Sequence, residues 1–196
     1  MIISREYKPN DNDIIYHYCD ANAFHSICTN RKLWFNDLFS MNDYMEMHWG
    51  YSIWEKAATE LLSEVGKEFI NSIDEIIHFS GFKGLLVSSS FSLDGDVLSQ
   101  WRAYSDDGNG FAVGFLAKDL LKLSVRGLKV EYNEMKQVKE VIKLIKSIYT
   151  VEQELVEDER FGEDFWRICN TLSFNLASYK NPAFSEEKEV RLVHLL

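Results

Sequence analysis

The segment "EMKQVKEVIKLIKSIYTVEQELVEDE" (134–159) limits the fold more than any other part of the chain. Its apolar residues stand at 138, 141, 142, 145, 148 and 149, a period near 3.6. That pattern predicts an amphipathic helix, which needs a second apolar surface to cover its stripe. "DFWRICNTLSFNLASYK" (164–180) reads as a further helix. A helical region also runs from about Tyr44 to His78, broken near Gly66.

Short strand patterns surround these helices. "DIIYHY" (13–18) alternates and is rich in β-formers, "KLWFN" (32–36) reads as a short strand, and "GLLVSSSFS" (84–92) is the clearest strand. "FAVGF" (111–115) follows the turn signal "DDGNG", and "LKVEYN" (128–133) and residues 187–194 complete the set. Between the first two strands, "DANAFHSICTN" predicts a helix capped by Asp20. "DVLSQWRAYS" (96–105) predicts another, capped by Asp96, and "SMND" (40–43) a turn with Asn42 and Asp43 capping the helix beyond. Strands first, helices inserted and a strand last give an α+β class. The chain reads as one domain over 1–196, with helical insertions at about 44–80 and 134–180.

Composition narrows the setting. The 196 residues are 46% hydrophobic, enough for a core, and contain two prolines. No apolar run approaches the ~20 residues of a membrane span, and the first residues lack the apolar heart of a signal peptide. The expectation is a cytoplasmic protein with no membrane partner. Cys19, Cys28 and Cys169 show no paired spacing and read as reduced, mostly packing cysteines, with no metal site implied. The formal charge of −10 disfavours non-specific binding to nucleic-acid backbone. It leaves room for an enzyme that reaches a nucleic acid through one local patch.

Several segments could carry chemistry. In a strand "EKEVR", Glu187, Glu189 and Arg191 share one face. Adjacent carboxylates can stabilise a developing cation or deprotonate a nucleophile; the same residues also suit a charged edge strand. His17, just before a capped helix, could hydrogen-bond a ligand hydroxyl or sit as a structural histidine. Ser88 and Ser90 share a strand face, with Ser89 and Phe91 on the other. Arg102, between Trp101 and Tyr104, suits a phosphate or pyrophosphate, with an aromatic for a ring. Asp43, Glu46 and His48 form no recognised metal spacing.

"IIYHYCDANAFHSICTNRKLWFNDLFSMND", "SSSFSLDGDVLSQWRAYSDDGNGFAVGF" and "NPAFSEEKEVRLV" together resemble an uncharacterised bacterial domain family. That family is marked by Tyr-His-Tyr, Trp-x-x-Tyr and a terminal Glu-x-Glu-x-Arg. The wider pattern is similar to the ADP-ribosyltransferase superfamily. The resemblance implies a split β-sheet core and NAD as substrate, with no metal. It implies that His17 holds a ribose hydroxyl, that Ser88 and Ser90 form the serine strand, and that Tyr18 or Tyr104 stacks on nicotinamide. Glu189 would be catalytic and Glu187 would serve the acceptor. Function then follows as transfer of ADP-ribose to a protein or nucleic-acid acceptor by a toxin or phage-defence effector, with an antitoxin or immunity partner. The alternative is a non-catalytic nucleotide- or protein-binding module in which the Glu/Arg cluster is structural.

Overall fold

The computed structural model describes residues 5–37, 44–82 and 86–196. In chain order the elements are β1 (Ile14–Cys19), α1 (Ala21–Asn30), β2 (Asn36–Asp37), α2 (Tyr44–Val65), α3 (Lys67–Phe82), β3 (Leu86–Ser92) and α4 (Leu98–Tyr104). They continue as β4 (Phe111–Leu116), α5 (Ala117–Leu120), β5 (Arg126–Lys129), α6 (Glu134–Glu154), α7 (Glu163–Leu176) and β6 (Glu189–Leu195). The architecture is mixed α and β, and the chain packs as two compact units.

The first unit gathers Asp37–Leu86 and Glu131–Pro182 with Arg5. It contains both stretches expected as helical insertions. Helix α6 buries Val141, Leu144, Ile145 and Ile148, with Val138, Ile142 and Tyr149 packed beside them. These are the positions of the apolar stripe, and burial of that stripe is what makes the helix stable. Ile53, Trp54, Ala57 and Leu61 of α2, Phe69, Ile73 and Ile77 of α3, and Phe165, Cys169 and Leu172 of α7 complete the core. Gly66 divides α2 from α3 at φ 87°, a conformation that glycine adopts without steric cost. At Gly50 a Cβ would meet the Leu176 carbonyl oxygen at 2.6 Å, so only glycine lets α2 approach α7 that closely.

Three polar clusters tie the helices of this core together. The fully buried Gln137 accepts from Trp49 Nε1 (3.0 Å) and donates to the carbonyls of Glu131 and Lys180. Arg5 bridges Glu131 and Glu140, both at 2.8 Å. Asp74 of α3 accepts from Tyr51 Oη (2.9 Å) and Trp54 Nε1 (2.7 Å) of α2.

The second unit comprises Glu6–Asn36, Val87–Val130 and Ala183–Leu196. Five of its strands lie in the order β4-β1-β3-β6-β5. The pairings β1–β4, β1–β3 and β5–β6 are antiparallel. Ile15, Phe91, Ala117 and Leu192 form an apolar cluster on one side of this sheet, flanked by Leu33, Phe35 and Phe115. Asp20 caps α1 as the sequence indicates, accepting from Ala23 N at 2.7 Å.

Three local expectations are corrected. "KLWF" forms no strand ladder. Arg31 ends α1 at a left-handed φ of 50°, pairing begins only at Asn36, and Trp34 stands 77% exposed. Asp96 does not cap α4, whose N-cap is Val97, and instead accepts from Trp101 Nε1 at 2.9 Å. The turn expected at "DDGNG" is present, with residues 106–108 in a short 3₁₀ turn between α4 and β4 and Asp106 and Asp107 both at positive φ. β5 spans Arg126–Lys129, shorter and earlier than "LKVEYN" suggests. The capping expected of Asn42 and Asp43, and the side chain of Glu46, lie outside the described residues. Among the described residues no helix is long and apolar enough to cross a membrane. Cys19 and Cys169 are buried and Cys28 is exposed; burial, with Glu152 nearby, pushes the Cys169 thiol up to about 12.

Candidate functional site

The candidate residues of the second unit converge on three neighbouring strands, β1, β3 and β6. Alternation decides which of them share a side. On β6, Val190 and Leu192 alternate with Glu189 and Arg191, and Leu192 belongs to the apolar cluster with Ile15 and Phe91. Glu189 and Arg191 therefore project to the opposite side. On β3, Phe91 is in the cluster, so Ser88 and Ser90 project to the side of Glu189. On β1, Tyr18 lies on that side too, whereas His17 follows Ile15 and packs its ring against Phe91 at 5.4 Å. The sheet thus groups Tyr18, Ser88, Ser90 and Glu189, and sets the imidazole of His17 apart from them.

His17 occupies a particular place. The register of β1 on β3 is Tyr16 opposite Ser92. One residue further along β1, the Nδ1 of His17 stands 3.0 Å from the Ser90 carbonyl oxygen. A carbonyl can only accept, so Nδ1 carries the proton and Nε2 is the acceptor nitrogen. The imidazole ties β1 to the backbone of the serine strand. Burial lowers its pKa, partly offset by the bond to Ser90.

Tyr18 is 6% exposed, and its hydroxyl donates to the Asp94 carbonyl and accepts from Val97 N, each at 2.9 Å. Its ring meets Trp101 edge-on at 5.2 Å. The tyrosine clamps the start of α4 onto β1. Its phenol pKa is raised by burial in the first place. Arg102 and Tyr104 extend from the same short helix into solvent, with Arg102 Nε 4.0 Å from an Asp107 carboxylate oxygen.

The serine strand is buried. Ser88 is fully inaccessible and Ser92 donates to the Glu187 carbonyl at 2.6 Å. The Ser89 and Ser90 hydroxyls are buried with no hydrogen-bond partner among the described residues. An unmet buried hydroxyl carries a desolvation cost, and few survive without a reason.

The C-terminal acidic pair is not built as the alternation of 187–194 implies. Pro182–Glu187 forms a 3₁₀ turn, Lys188 takes a positive φ of 47°, and the strand begins at Glu189. Glu187 therefore precedes the strand and does not share its alternation, although it is buried at 6% exposure. Glu189 and Arg191 form a bidentate pair. Arg191 Nε donates to Oε1 at 2.7 Å and Nη2 to Oε2 at 3.0 Å, with the two residues 5% and 1% exposed. This fork is the strongest carboxylate–guanidinium geometry and is nearly dry. Sequence spacing placed both residues on one face, but burial and bidentate contact are tertiary facts.

Residues 100–192 match the model of a family described as a protein of unknown function (DUF2971). The match takes in Trp101, Tyr104, Glu189 and Arg191, and leaves out β1 and the serine strand. No curated protein and no solved structure matches the chain.

Proposed function

We propose that the chain is an NAD-dependent ADP-ribosyltransferase acting on a protein or nucleic-acid acceptor, with the substrate on the sheet side that carries Tyr18, Ser88, Ser90 and Glu189. The observation that supports this most is the unpartnered Ser90 hydroxyl on the same side as the Glu189 carboxylate, on neighbouring strands. A ribose hydroxyl arriving there would satisfy Ser90. Glu189, the carboxylate on that side, would stabilise the positive charge that develops on the ribose as the bond to nicotinamide breaks. The acceptor's nucleophile then forms the new bond, and Glu187 takes its proton. His17 acts here as a positioning residue, holding the Ser90 backbone from the other side of the sheet.

A second reading rests on one observation, the buried Glu189–Arg191 fork. A buried carboxylate forked by an arginine is also what a purely structural pair looks like, and the module would then bind a nucleotide or protein without chemistry.

Nicotinamide release and label transfer from NAD into a cell lysate separate the two. Ser90→Ala removes a buried, unpartnered hydroxyl, so stability should hold or rise. The loss of one transition-state hydrogen bond lowers nicotinamide release by roughly 2- to 10-fold. Glu189→Gln alone breaks a buried ion pair, at a cost of about 3–5 kcal/mol, so it is paired with Glu189→Gln/Arg191→Met, which removes both charges. A folded double variant that still releases nicotinamide at the native rate sinks the catalytic assignment. If the native protein releases none and labels nothing, the binding module stands.

A further inference from the structure

The two ends of the sheet in the second unit are treated differently. At one end, β5 carries Arg126 and Lys129, and its outer side is already met by the N-terminal segment. Glu6 bridges to Leu128, and Tyr7 N donates to the Gly127 carbonyl at 2.8 Å. Charge and a covering segment are standard protection for a sheet edge. At the other end, no strand among the described residues pairs with the outer edge of β4, and α1 touches it through Phe24, stacked on Phe111 at 4.0 Å. The sequence of β4, "FAVGFL", contains no charge and no proline. Phe111 and Leu116 are 39% and 42% exposed, and Ile14, paired to Leu116, is 44% exposed. Outside its ladder with β1, no backbone hydrogen bond involves Ala112–Leu116 among the described residues. Gly114 also offers no side chain to shield that edge.

We propose that β4 is an interface for a second copy of this chain, joined edge to edge as an antiparallel, two-fold pair. Charge selects a copy over a foreign segment. β4 is preceded by Asp106 and Asp107 and followed by Lys118 and Lys122, so one strand is acidic at its start and basic at its end. Antiparallel pairing sets the acidic turn of each protomer beside the basic turn of the other. Both ends reach solvent: the Asp107 side chain is 84% exposed and that of Lys122 is 73% exposed. Their contacts within the protomer are surface pairs, Arg102 to Asp107 at 4.0 Å, Lys118 to Asp11 at 3.5 Å and Lys122 to Asp119 at 2.7 Å. Such pairs are weak and exchange readily. A strand that is self-complementary in hydrogen bonding and in charge satisfies a two-fold interface, where each patch meets itself. The inference does not depend on any NAD chemistry.

The test is solution mass as a function of concentration, combined with amide exchange. The mass should rise from 22.9 kDa towards twice that value, and the amides of 112–116 should gain protection in step. High salt should shift the association to higher concentration. Leu116→Asp puts a carboxylate opposite the partner's acidic turn and should leave a folded monomer. Leu116→Lys, equally polar but of complementary sign, should still associate. The proposal is overturned if the mass stays at the monomer value at every concentration. It is also overturned by a dimer whose 112–116 amides exchange as in the monomer, or by a folded Leu116→Asp variant that dimerises as the native chain does.

Discussion

At the scale of single residues, the structure turns several polar side chains into joints. His17 shows this most clearly. Its imidazole, whose pKa burial lowers, bonds a backbone carbonyl of β3. A pH dependence follows. The folded-state pKa is depressed below the unfolded value of about 6.5. The unfolded chain therefore binds more protons in the interval between them, and stability rises with pH there. His17 costs nothing above about pH 6.5, and stability is lost as pH falls through that value towards the folded pKa. Urea unfolding at neutral and at mildly acid pH should show this loss, and His17→Gln should flatten that part of the profile. An unchanged slope in the variant would place the acid sensitivity elsewhere. Asp96 makes a related point. It sits next to the cap position, but its carboxylate goes to the Trp101 indole, because a ring N–H brought within reach is a competing partner that spacing does not reveal.

At the scale of elements, helices were more legible than strands. A stripe of period 3.6 over twenty residues has one good solution, and α6 and α7 adopt it. Short extended segments are ambiguous because a strand exists only when a neighbour offers its hydrogen bonds. "KLWF" has the residues of a strand and lacks the neighbour. The turn before β6 is a similar case: a positive φ at Lys188 breaks the alternation, which removes Glu187 from the face it would share with Glu189. Gln137 gives the element scale its sharpest test. It ties α6 to the chain before it and after α7 by three bonds. Gln137→Leu keeps the volume, strands the Trp49 N–H and takes one donor from each of the carbonyls of Glu131 and Lys180, the first of which still accepts from Lys180 N. Each stranded buried group costs about 1–3 kcal/mol, so the denaturation midpoint should fall well below that of a neighbouring surface variant. A midpoint within error of the native protein would show that water serves these groups equally well.

At the scale of the whole molecule, charge and composition speak most directly. With a net charge of −10, the chain should show no retention of random-sequence duplex DNA at roughly 0.15 M salt, where a protein binding backbone non-specifically still does so measurably. Salt-sensitive retention in a filter assay would reveal a basic patch strong enough to override the net repulsion. The sequence by itself determined the mixed α and β class, the two helical stretches, the helix after β1 with its Asp20 cap, and the presence of Glu189 and Arg191 on one strand face. These depend on neighbours within a few residues, where periodicity and capping act. Tertiary structure decided that the chain packs as two units. It also decided that His17 turns away from Glu189, that the Ser90 hydroxyl is left unmet, and that Glu189 is forked by Arg191. Each of those depends on which strand lies beside which, and on what burial removes from water. Long-range pairing sets both, and no local pattern encodes it.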